Sequence, residues 1–318
     1  MSRISSHPAT RRARAGPVER SSVSPKIIFV GFVLSLIAAF FVAFYIYVRW
    51  VRYSPLATRH LTPEVASATR LDVEQAVVYQ PFREHILALL EIGRENAEPR
   101  VKELERRTTL ELSVDAREII LAEFPGDQWL ILGGGLFVRE GVLDQVAEMY
   151  SDEGIELKRV DDFLIHSSGV TFALASDGVL LLGSNRAIVA SARAVHTSEK
   201  REFLEESGVA LSSIGVSPTV AAPGAVRQAE VKILVGRTFP VEARYMASDG
   251  TKLNEKQVVD LVPQISPLLA KVALHAGETS GQAIELQGSL SREQFEETVA
   301  QFAKRVENTL FGTLNAKN

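Results

Sequence analysis

An uncharged segment of 22 residues, residues 27–48, constrains this chain more than any other feature. Fifteen of these residues are Ile, Leu, Val or Phe. As a helix the segment would be about 33 Å long, and the hydrocarbon core of a bilayer is about 30 Å thick. The apolar region of a signal peptide is shorter, at about 7–15 residues, and no small-x-small cleavage pattern follows this segment. The sequence therefore predicts an uncleaved transmembrane helix over residues 27–48.

The charges on either side of this segment predict its orientation. Residues 1–26 hold six Lys or Arg residues and one Glu, a net charge of +5, and they are rich in Ser and Pro, which is typical of a disordered tail. Three arginines follow the segment, at Arg49, Arg52 and Arg59. The positive-inside rule favours a tail in the cytoplasm and a main domain on the other side of the inner or plasma membrane, in the periplasm.

The main domain is acidic. The whole chain has a net charge of −4, so the residues after Arg52 carry −11. Nucleic-acid binding needs a basic face, and this balance argues against a nucleic-acid partner.

Four small residues recur every fourth position within the predicted span: Gly31, Ser35, Ala39 and Ala43. On a helix they form one stripe, and such stripes allow two membrane helices to approach closely. The stripe is a candidate helix-packing surface that would permit a homodimer. Small residues are also common in membrane helices, so a chance pattern is the alternative.

The rest of the chain shows helical and strand periodicity in alternation. We expect a juxtamembrane linker over residues 49–70, helices and a first α+β unit over residues 71–206, and a second α+β unit over residues 229–318. Asn185 and Asn254 are candidate helix caps, and Ser291 and Gln294 have capping-box spacing. Hairpin strands with helices between them predict an α+β fold with antiparallel sheet.

Two short sequence repeats indicate an internal duplication. Ala-Ser-Asp-Gly occurs at residues 175–178 and again at residues 247–250. "REGVLDQVAEMY" from Arg139 matches "REQFEETVAQFA" from Arg292 without a gap. The order of the two repeats is permuted along the chain, so the alternatives are a duplicated sheet-plus-helix unit and two coincidences.

The two predicted units are joined by residues 207–228, of which 207–226 carry no charge. Long segments of this kind are functional loops or mobile linkers. As a lid or partner contact, this segment would use its larger apolar side chains: Val209, Leu211, Ile214, Val216 and Val220.

No set of residues in the sequence has the spacing of a catalytic, cofactor or metal site. The absence of cysteine excludes disulfides and thiolate chemistry. The six histidines lack zinc-helix spacing, and the triple glycine at residues 133–135 lacks the Lys-Ser/Thr of a P-loop. His166 and Ser168 are the best candidates for a hydrolase, but a hairpin loop is the plainer explanation of this pair. We therefore predict a non-enzymatic protein without metal or cofactor.

The chain resembles uncharacterised bacterial proteins that have one N-terminal anchor and a duplicated α+β outer region. The resemblance rests on "LDVEQAVVYQPFREHILALLE", on "WLILGGGLF" running into a helix, and on the two Ala-Ser-Asp-Gly hairpins. It implies no activity and no site residues.

The leading hypothesis is a non-catalytic, membrane-anchored binding or scaffold protein of the cell envelope. Its partners would be the lipid bilayer and another membrane or envelope protein. A carrier or sensor of an apolar ligand such as lipid, with residues 207–226 as its lid, is the second hypothesis. An envelope hydrolase using His166 and Ser168 is the third.

Overall fold

The computed structural model describes residues 38–43, 56–73, 106, 116–135, 141–152, 156–197, 199–216, 226–236, 238–248, 253–270, 272–280 and 283–315. The chain divides into two units, Met1–Arg52 and Tyr53–Asn318. In the first unit residues 38–43 are helical, and Phe40, Phe41 and Val42 are each more than half exposed. None of the helices in the described ranges has both the length and the apolar character needed to cross a membrane. Most of the predicted span lies outside these ranges.

The second unit is built on one antiparallel sheet of 12 described strands. The strands are β1 (Ser67–Asp72), β2 (Ala116–Phe124), β3 (Gln128–Gly135), β4 (Lys158–Val160), β5 (Phe163–Ile165), β6 (Thr171–Leu174), β7 (Leu180–Gly183), β8 (Val209–Gly215), β9 (Val226–Leu234), β10 (Phe239–Ala247), β11 (Leu274–Ser280) and β12 (Ala283–Leu290). The helices are α1 (Val142–Asp152), α2 (Arg186–Ala192), α3 (Glu199–Leu204), α4 (Glu255–Ile265) and α5 (Arg292–Asn315), with short 3-10 helices at Ala57–His60 and Pro267–Leu269. The predicted α+β class with antiparallel sheet is confirmed.

Several local predictions are confirmed by hydrogen bonds. The turn at residues 175–178 joins β6 to β7, with the Gly178 N–H donating to the Ala175 carbonyl at 3.0 Å. The Gly178 φ of 88° lies in the left-handed region that glycine adopts without strain. At the start of α5 the Ser291 N–H donates to Gln294 Oε1 at 2.8 Å and the Gln294 N–H donates to Ser291 Oγ at 3.3 Å, which completes the capping box.

The Asn185 cap gives a testable expectation. The Ile188 N–H donates to Asn185 Oδ1 at 3.1 Å, and α2 is only seven residues long. We expect Asn185→Ala to lower the free energy of unfolding by about 1 kcal/mol, because one N–H at the helix start loses its acceptor. Urea unfolding of the full chain in detergent, followed by circular dichroism, measures this loss, with Asn185→Asp as the control that keeps the acceptor. An unchanged midpoint for Asn185→Ala would contradict the role of the cap.

Three sequence-based boundaries are wrong. The linker predicted over residues 49–70 ends earlier, because residues 56–66 pack onto the sheet and β1 begins at Ser67. Leu71, expected to open a helix, lies in β1. The run "LKRVDDFLIH" over residues 157–166 has the pattern of one strand, but a tight turn, in which Asp161 has a φ of 55°, divides it into β4 and β5. Asp tolerates this left-handed conformation better than most residues.

The segment over residues 207–228, predicted to be a linker or lid loop, begins with a strand. Residues 209–215 form β8, which lies between β1 and β9 near the middle of the sheet. The apolar side chains of β8 are buried because a central strand packs on both faces, and two-sided burial removes the alternation that identifies a strand in a sequence.

The strand order follows the same path twice. The order is β11-β12-β10-β9-β8-β1-β2-β3-β7-β6-β5-β4. The meander β1-β2-β3 is followed by α1 and later by a hairpin whose last strand, β7, pairs with β3. The meander β8-β9-β10 is followed by α4 and then by a hairpin whose last strand, β12, pairs with β10. The two meanders meet where β1 pairs with β8.

The two sequence repeats do not fall at matching places on this path. The first Ala-Ser-Asp-Gly joins β6 to β7, whereas the second begins at the last residue of β10 and the next described element is α4; residues 249 and 250 lie outside the described residues. The repeat from Arg139 lies at α1, after a meander, whereas the repeat from Arg292 lies at α5, after a hairpin.

The two faces of the sheet are covered differently. On the first face, α1, α4 and α5 pack over a continuous core that includes both meanders. Phe239 of β10 and Phe295 of α5 stack there, with ring centroids 4.4 Å apart. Farther along α5, Arg305 forms an ion pair with Glu123 of β2, so this helix contacts a strand of each meander. On the second face, α2, α3 and residues 56–66 pack over a separate cluster centred on β2, β3 and β7.

Tyr245 in the first-face core gives a pH-dependent expectation. Burial raises the pKa of Tyr245 to about 12, an effect partly offset by its hydrogen bond to Ser266 Oγ at 3.2 Å. An unfolded tyrosine ionises near pH ~10, so the folded chain keeps a proton that the unfolded chain loses. The stability is therefore fully present below pH ~10 and falls by about 2–3 kcal/mol as the pH rises towards 12. Urea unfolding across this range measures the fall, and Tyr245→Phe should remove that part of it; an identical pH dependence in the variant would contradict the assignment.

Candidate functional site: an open sheet face and a clamped neck

The second face of the sheet is uncovered by described residues over β9, β10 and β12. Along these strands, buried apolar residues alternate with polar residues that are half-buried or exposed. We call the polar set the open face; it consists of Gln228, Glu230, Lys232, Glu242, Arg244, Glu285 and Gln287. Register places Lys232 opposite Glu242 and Glu242 opposite Gln287, while Arg244 lies between Glu230 and Glu285.

A depression of about 200 Å³ lies on the open face against Phe203 of α3. The Lys232 ammonium lies 4.5 Å from the centre of the Phe203 ring and forms an ion pair with Glu206. Arg244 Nε lies 3.8 Å from Glu285 Oε1, which makes a second ion pair. Because these two pairs neutralise both cations of the face, Glu230 and Glu242 give the surface a net negative charge.

Residues 56–66, which we call the neck, are clamped to the second face by a buried carboxylate. Glu118 of β2 is fully buried, and its Oε1 atom accepts from the Leu56 N–H and the Ala57 N–H at 2.8 Å each. Its Oε2 atom accepts from Arg70 Nε of β1, also at 2.8 Å. The carboxylate therefore caps the 3-10 helix at Ala57–His60 and neutralises a buried cation at the same time.

Arg70 is the largest fully buried side chain of the described residues. Its other nitrogens donate to the Leu204 carbonyl at 2.9 Å and to Asp72 Oδ2 at 2.7 Å. Burial by itself lowers the pKa of Arg70, but attraction to Glu118 and Asp72 outweighs it, so the pKa is raised overall. One guanidinium thus connects β1, β2 and the end of α3.

His60 holds the neck to two further elements. The ring is almost fully buried, with Nδ1 2.6 Å from the Ala192 carbonyl at the end of α2. Nε2 lies 3.1 Å from each carboxylate oxygen of Asp177, in the hairpin turn between β6 and β7. We call these contacts the His60 bridge.

The remaining neck contacts come from α3 and the segment before it. Thr58 Oγ1 donates to Glu205, which also accepts from Arg201 Nε at 2.6 Å. The Lys200 ammonium donates to the Val65 carbonyl, and burial lowers the pKa of Lys200. The neck is therefore fixed by side chains from several separate parts of the second unit.

His166 and Ser168 are brought together, but within a tight turn. Ser168 Oγ lies 2.8 Å from His166 Nδ1, and the Ser168 N–H donates to the same nitrogen at 3.1 Å. The His166 carbonyl accepts from the Gly169 N–H, and the His166 N–H donates to the Val170 carbonyl. These contacts close the turn between β5 and β6, and neither His166 nor Ser168 lines the depression on the open face.

The other residues singled out in the sequence are dispersed. Val209, Leu211 and Ile214 are buried in β8, Val216 is half-buried just after it, and Val220 lies outside the described residues. Of the small-residue stripe, Ala39 and Ala43 lie in the described helical segment and are exposed, whereas Gly31 and Ser35 are outside it. Within the described ranges, His, Asp and Glu side chains nowhere form a group of three or more that could hold a metal ion.

Sequence reasoning missed the neck. Arg70 and Glu118 are 48 positions apart, and Asp177 is 117 positions from His60, so no local spacing indicates these pairs. The sequence does place a charged residue inside each strand, Arg70 in β1 and Glu118 in β2, but both strands hold other polar residues, so neither charge stands out.

No protein-family profile matches the sequence, and no curated protein matches it. Among solved structures, the chain is similar to crystal form III of TP0453, with a TM-score of 0.49 and 9% sequence identity. The similarity covers 79% of this chain and 99% of that chain. A likeness at this level carries no argument about function.

Proposed function

We propose that this protein is a single-pass, membrane-anchored binding or scaffold protein of the cell envelope without catalytic activity. Residues 27–48 form the anchor, the N terminus lies in the cytoplasm, and the unit from Tyr53 lies on the outer side of the inner or plasma membrane. The uncharged sequence supports this proposal, as does the helical conformation of residues 38–43 with Phe40 and Phe41 exposed. Exposed apolar side chains on a helix are stabilised when lipid covers them.

The open face carries the binding role. It is a polar surface over β9, β10 and β12, whereas helices pack on the first face and α2, α3 and the neck pack on the second face over β2, β3 and β7. Its unneutralised carboxylates, Glu230 and Glu242, favour a partner that presents Lys or Arg side chains. We propose a basic segment of another envelope protein as that partner.

The repeated strand path supports a second part of the proposal, that the unit from Tyr53 arose by duplication of a meander, a helix and a hairpin. The helices α1 and α4, which follow the meanders, both pack on the first face. One rotation about the β1–β8 pair should superpose β1-β2-β3-α1 on β8-β9-β10-α4. If the best superposition of the two meanders places α1 and α4 over strands that do not correspond, a common origin is refuted.

The depressions give more support to the scaffold than to the carrier of an apolar ligand. A pocket for a drug-sized ligand holds about 300–1,000 Å³. The depression on the open face is about 200 Å³ and polar, and a second one beside α5 is about 40 Å³. The expected lid is in part the central strand β8.

Membrane fractionation with protease treatment tests the anchor and its orientation. The full chain should remain with membranes after carbonate extraction. When the outer barrier of the cell has been opened, protease added from outside should remove the C-terminal unit. Recovery of the mature chain in the soluble fraction, or a C-terminal unit protected from protease, would overturn the proposed location.

Site-specific crosslinking tests the open face. The chain has no cysteine, so Glu242→Cys introduces a single attachment point for a photocrosslinker. Glu148→Cys, on the exposed side of α1, is the matched control. We expect one discrete adduct from position 242 in gently solubilised membranes, with its yield reduced several-fold by Glu230→Lys, and none from position 148. Equal labelling from the two positions would refute a binding role for the open face.

A further inference from the structure

One corner of the depression on the open face holds a cation of the chain itself. The Lys232 ammonium lies 4.5 Å from the centre of the Phe203 ring and forms an ion pair with Glu206. The Lys232 side chain is only 18% exposed, although it stands on the polar side of β9. We call Phe203 and Glu206 the ring corner. An aromatic ring face and a carboxylate both attract an ammonium or a guanidinium group, so the ring corner has the chemistry of a cation site.

The ring corner is held in place by contacts that do not involve Lys232. Phe203 packs against the second-face core, and the carbonyl of the next residue, Leu204, accepts from the buried Arg70. Glu206 lies in the short connection between α3 and β8, where the Gly208 carbonyl accepts from the Val235 N–H at 2.9 Å. Loss of the Lys232 side chain would therefore leave an aromatic ring and a carboxylate in place without their cation.

Lys232 has a second set of acceptors on the sheet beside it. Glu242 of β10 lies directly opposite Lys232 in register, and Glu230 lies two residues earlier on the same face of β9. Opposite residues of an antiparallel pair have Cβ atoms about 4.5–5.5 Å apart, a separation that a lysine side chain spans easily. An ammonium that leaves the ring corner can therefore form an ion pair with Glu242 instead.

We propose that the ring corner receives one Lys or Arg side chain of the basic partner, and that Lys232 fills it as an internal substitute in the free chain. The partner's cation replaces the Lys232 ammonium, which moves to Glu242. This inference rests on the proposed binding role of the open face and adds to it the contact that controls access to that face.

The exchange gives the open face a preference among cationic ligands. A single free ammonium gains little, because it replaces an equivalent group that the chain already supplies. A segment with several basic residues also gains the contact with Glu230, and each further contact is made within the same complex. Occupation by Lys232 therefore discriminates against isolated cations and favours a polybasic segment.

Binding of a labelled peptide to the full chain in detergent micelles tests the proposal. The probe is a short fluorescent peptide of alternating Lys and Ser, and the same peptide with Gln in place of Lys is its control. Fluorescence anisotropy at low ionic strength, where charge interactions are least screened, gives the affinity. Lys232→Gln empties the ring corner. Arg244→Gln is the matched control, because it removes a cation from the same face but leaves Lys232 beside Phe203.

We expect Lys232→Gln to bind the Lys-Ser peptide about 10-fold more tightly than the wild type, and Arg244→Gln no more than about 3-fold more tightly. In the Lys232→Gln background, Phe203→Leu should remove most of this gain and Phe203→Tyr should keep it, because only the second variant retains an aromatic ring face. In the wild type, Phe203→Leu should change the affinity by less than about 2-fold, since the ring is lost to Lys232 and to the peptide alike.

The proposal is overturned if Lys232→Gln binds the peptide no more tightly than Arg244→Gln does, or if Phe203→Leu leaves the gain intact. Either result is compatible with the open face as the site of a basic partner when Glu242→Gln still weakens binding of the Lys-Ser peptide. If the Lys-Ser and Gln-Ser peptides bind equally to every variant, both the basic partner and the ring corner as its receptor are refuted.

Discussion

Replacement of Arg70 by methionine should lower the free energy of unfolding by about 3–5 kcal/mol. The substitution keeps an apolar side chain of similar length but leaves Glu118 fully buried without its cation. Loss of the guanidinium also removes the donors to the Leu204 carbonyl and to Asp72. Urea unfolding of the full chain in detergent, followed by circular dichroism, measures the effect.

The exposed ion pair between Arg159 and Asp144 provides the control. Both side chains are about half exposed, so Arg159→Met should change the stability by less than about 1 kcal/mol. If Arg70→Met and Arg159→Met have the same small effect, the buried pair does not hold the neck. In Arg70→Met, proteolysis should also begin within the neck. Glu118 still accepts from the Leu56 and Ala57 amides, but its buried charge is no longer neutralised by Arg70, so we expect the neck to be held less firmly.

Replacement of Gly215 by alanine should cost about 2–5 kcal/mol, which combines left-handed backbone strain with overpacking. Gly215 has a φ of 90°, and an added Cβ atom would lie 2.1 Å from the Ala66 carbonyl oxygen and 2.9 Å from Ser67 Cα. Both contacts are to backbone, so no side-chain movement relieves them. The strain falls where β8 meets the end of the neck and the start of β1.

Gly126→Ala separates the steric effect from the conformational one. Gly126 has a φ of 77°, but an added Cβ atom would meet nothing within 4 Å. We expect this control to cost about 1–2 kcal/mol, for the left-handed conformation alone. Thermal or urea unfolding of the two variants side by side gives the difference, and equal losses would show that the close approach to Ala66 can be relieved by small backbone shifts.

Local chemistry explains the parts of the fold that the sequence predicts well. Asn185 and the Ser291–Gln294 pair are caps because their side chains bond amides three residues away, and the Asp-Gly turn at residues 177–178 is equally local. Strands β2 and β3 flank the turn at residues 125–127, and β6 and β7 flank the turn at residues 175–178, so turn residues mark one end of each apolar run in the sequence.

The neck and β8 could not be predicted because their identity depends on distant residues. Residues 56–66 contain Pro, Thr and Arg and look like a linker; they are held on the sheet because Glu118, Asp177 and Glu205 supply partners and because Ala57, Leu61 and Val65 join the second-face core. The small, uncharged residues of β8 look like a loop because a strand packed on both faces needs no alternation. The open face was also missed, since alternation along β9 and β10 shows that one side is polar but not that it stays uncovered.

The permuted sequence repeats show a related limit. They led to the expectation of a duplication, but they lie at non-matching places on the repeated strand path. The departure of the two halves of the sheet from symmetry explains more of the structure than the sequence repeats do. The helix after the first hairpin, α2, packs on the second face, whereas the helix after the second hairpin, α5, packs on the first. Among the described helices, this difference leaves none over the open face.

The pairing of β1 with β8 sets an order of events during synthesis. Ser67 pairs with both Glu123 and Gly215, so one edge of β1 finds its neighbour 56 positions later and the other edge 148 positions later. The first meander can form while the second is still being made, but it then carries an unpaired central edge. Such an edge attracts other chains and slows folding. A nascent chain stopped before residue 209 should therefore need a chaperone at that edge, and extension through Gly215 should release it.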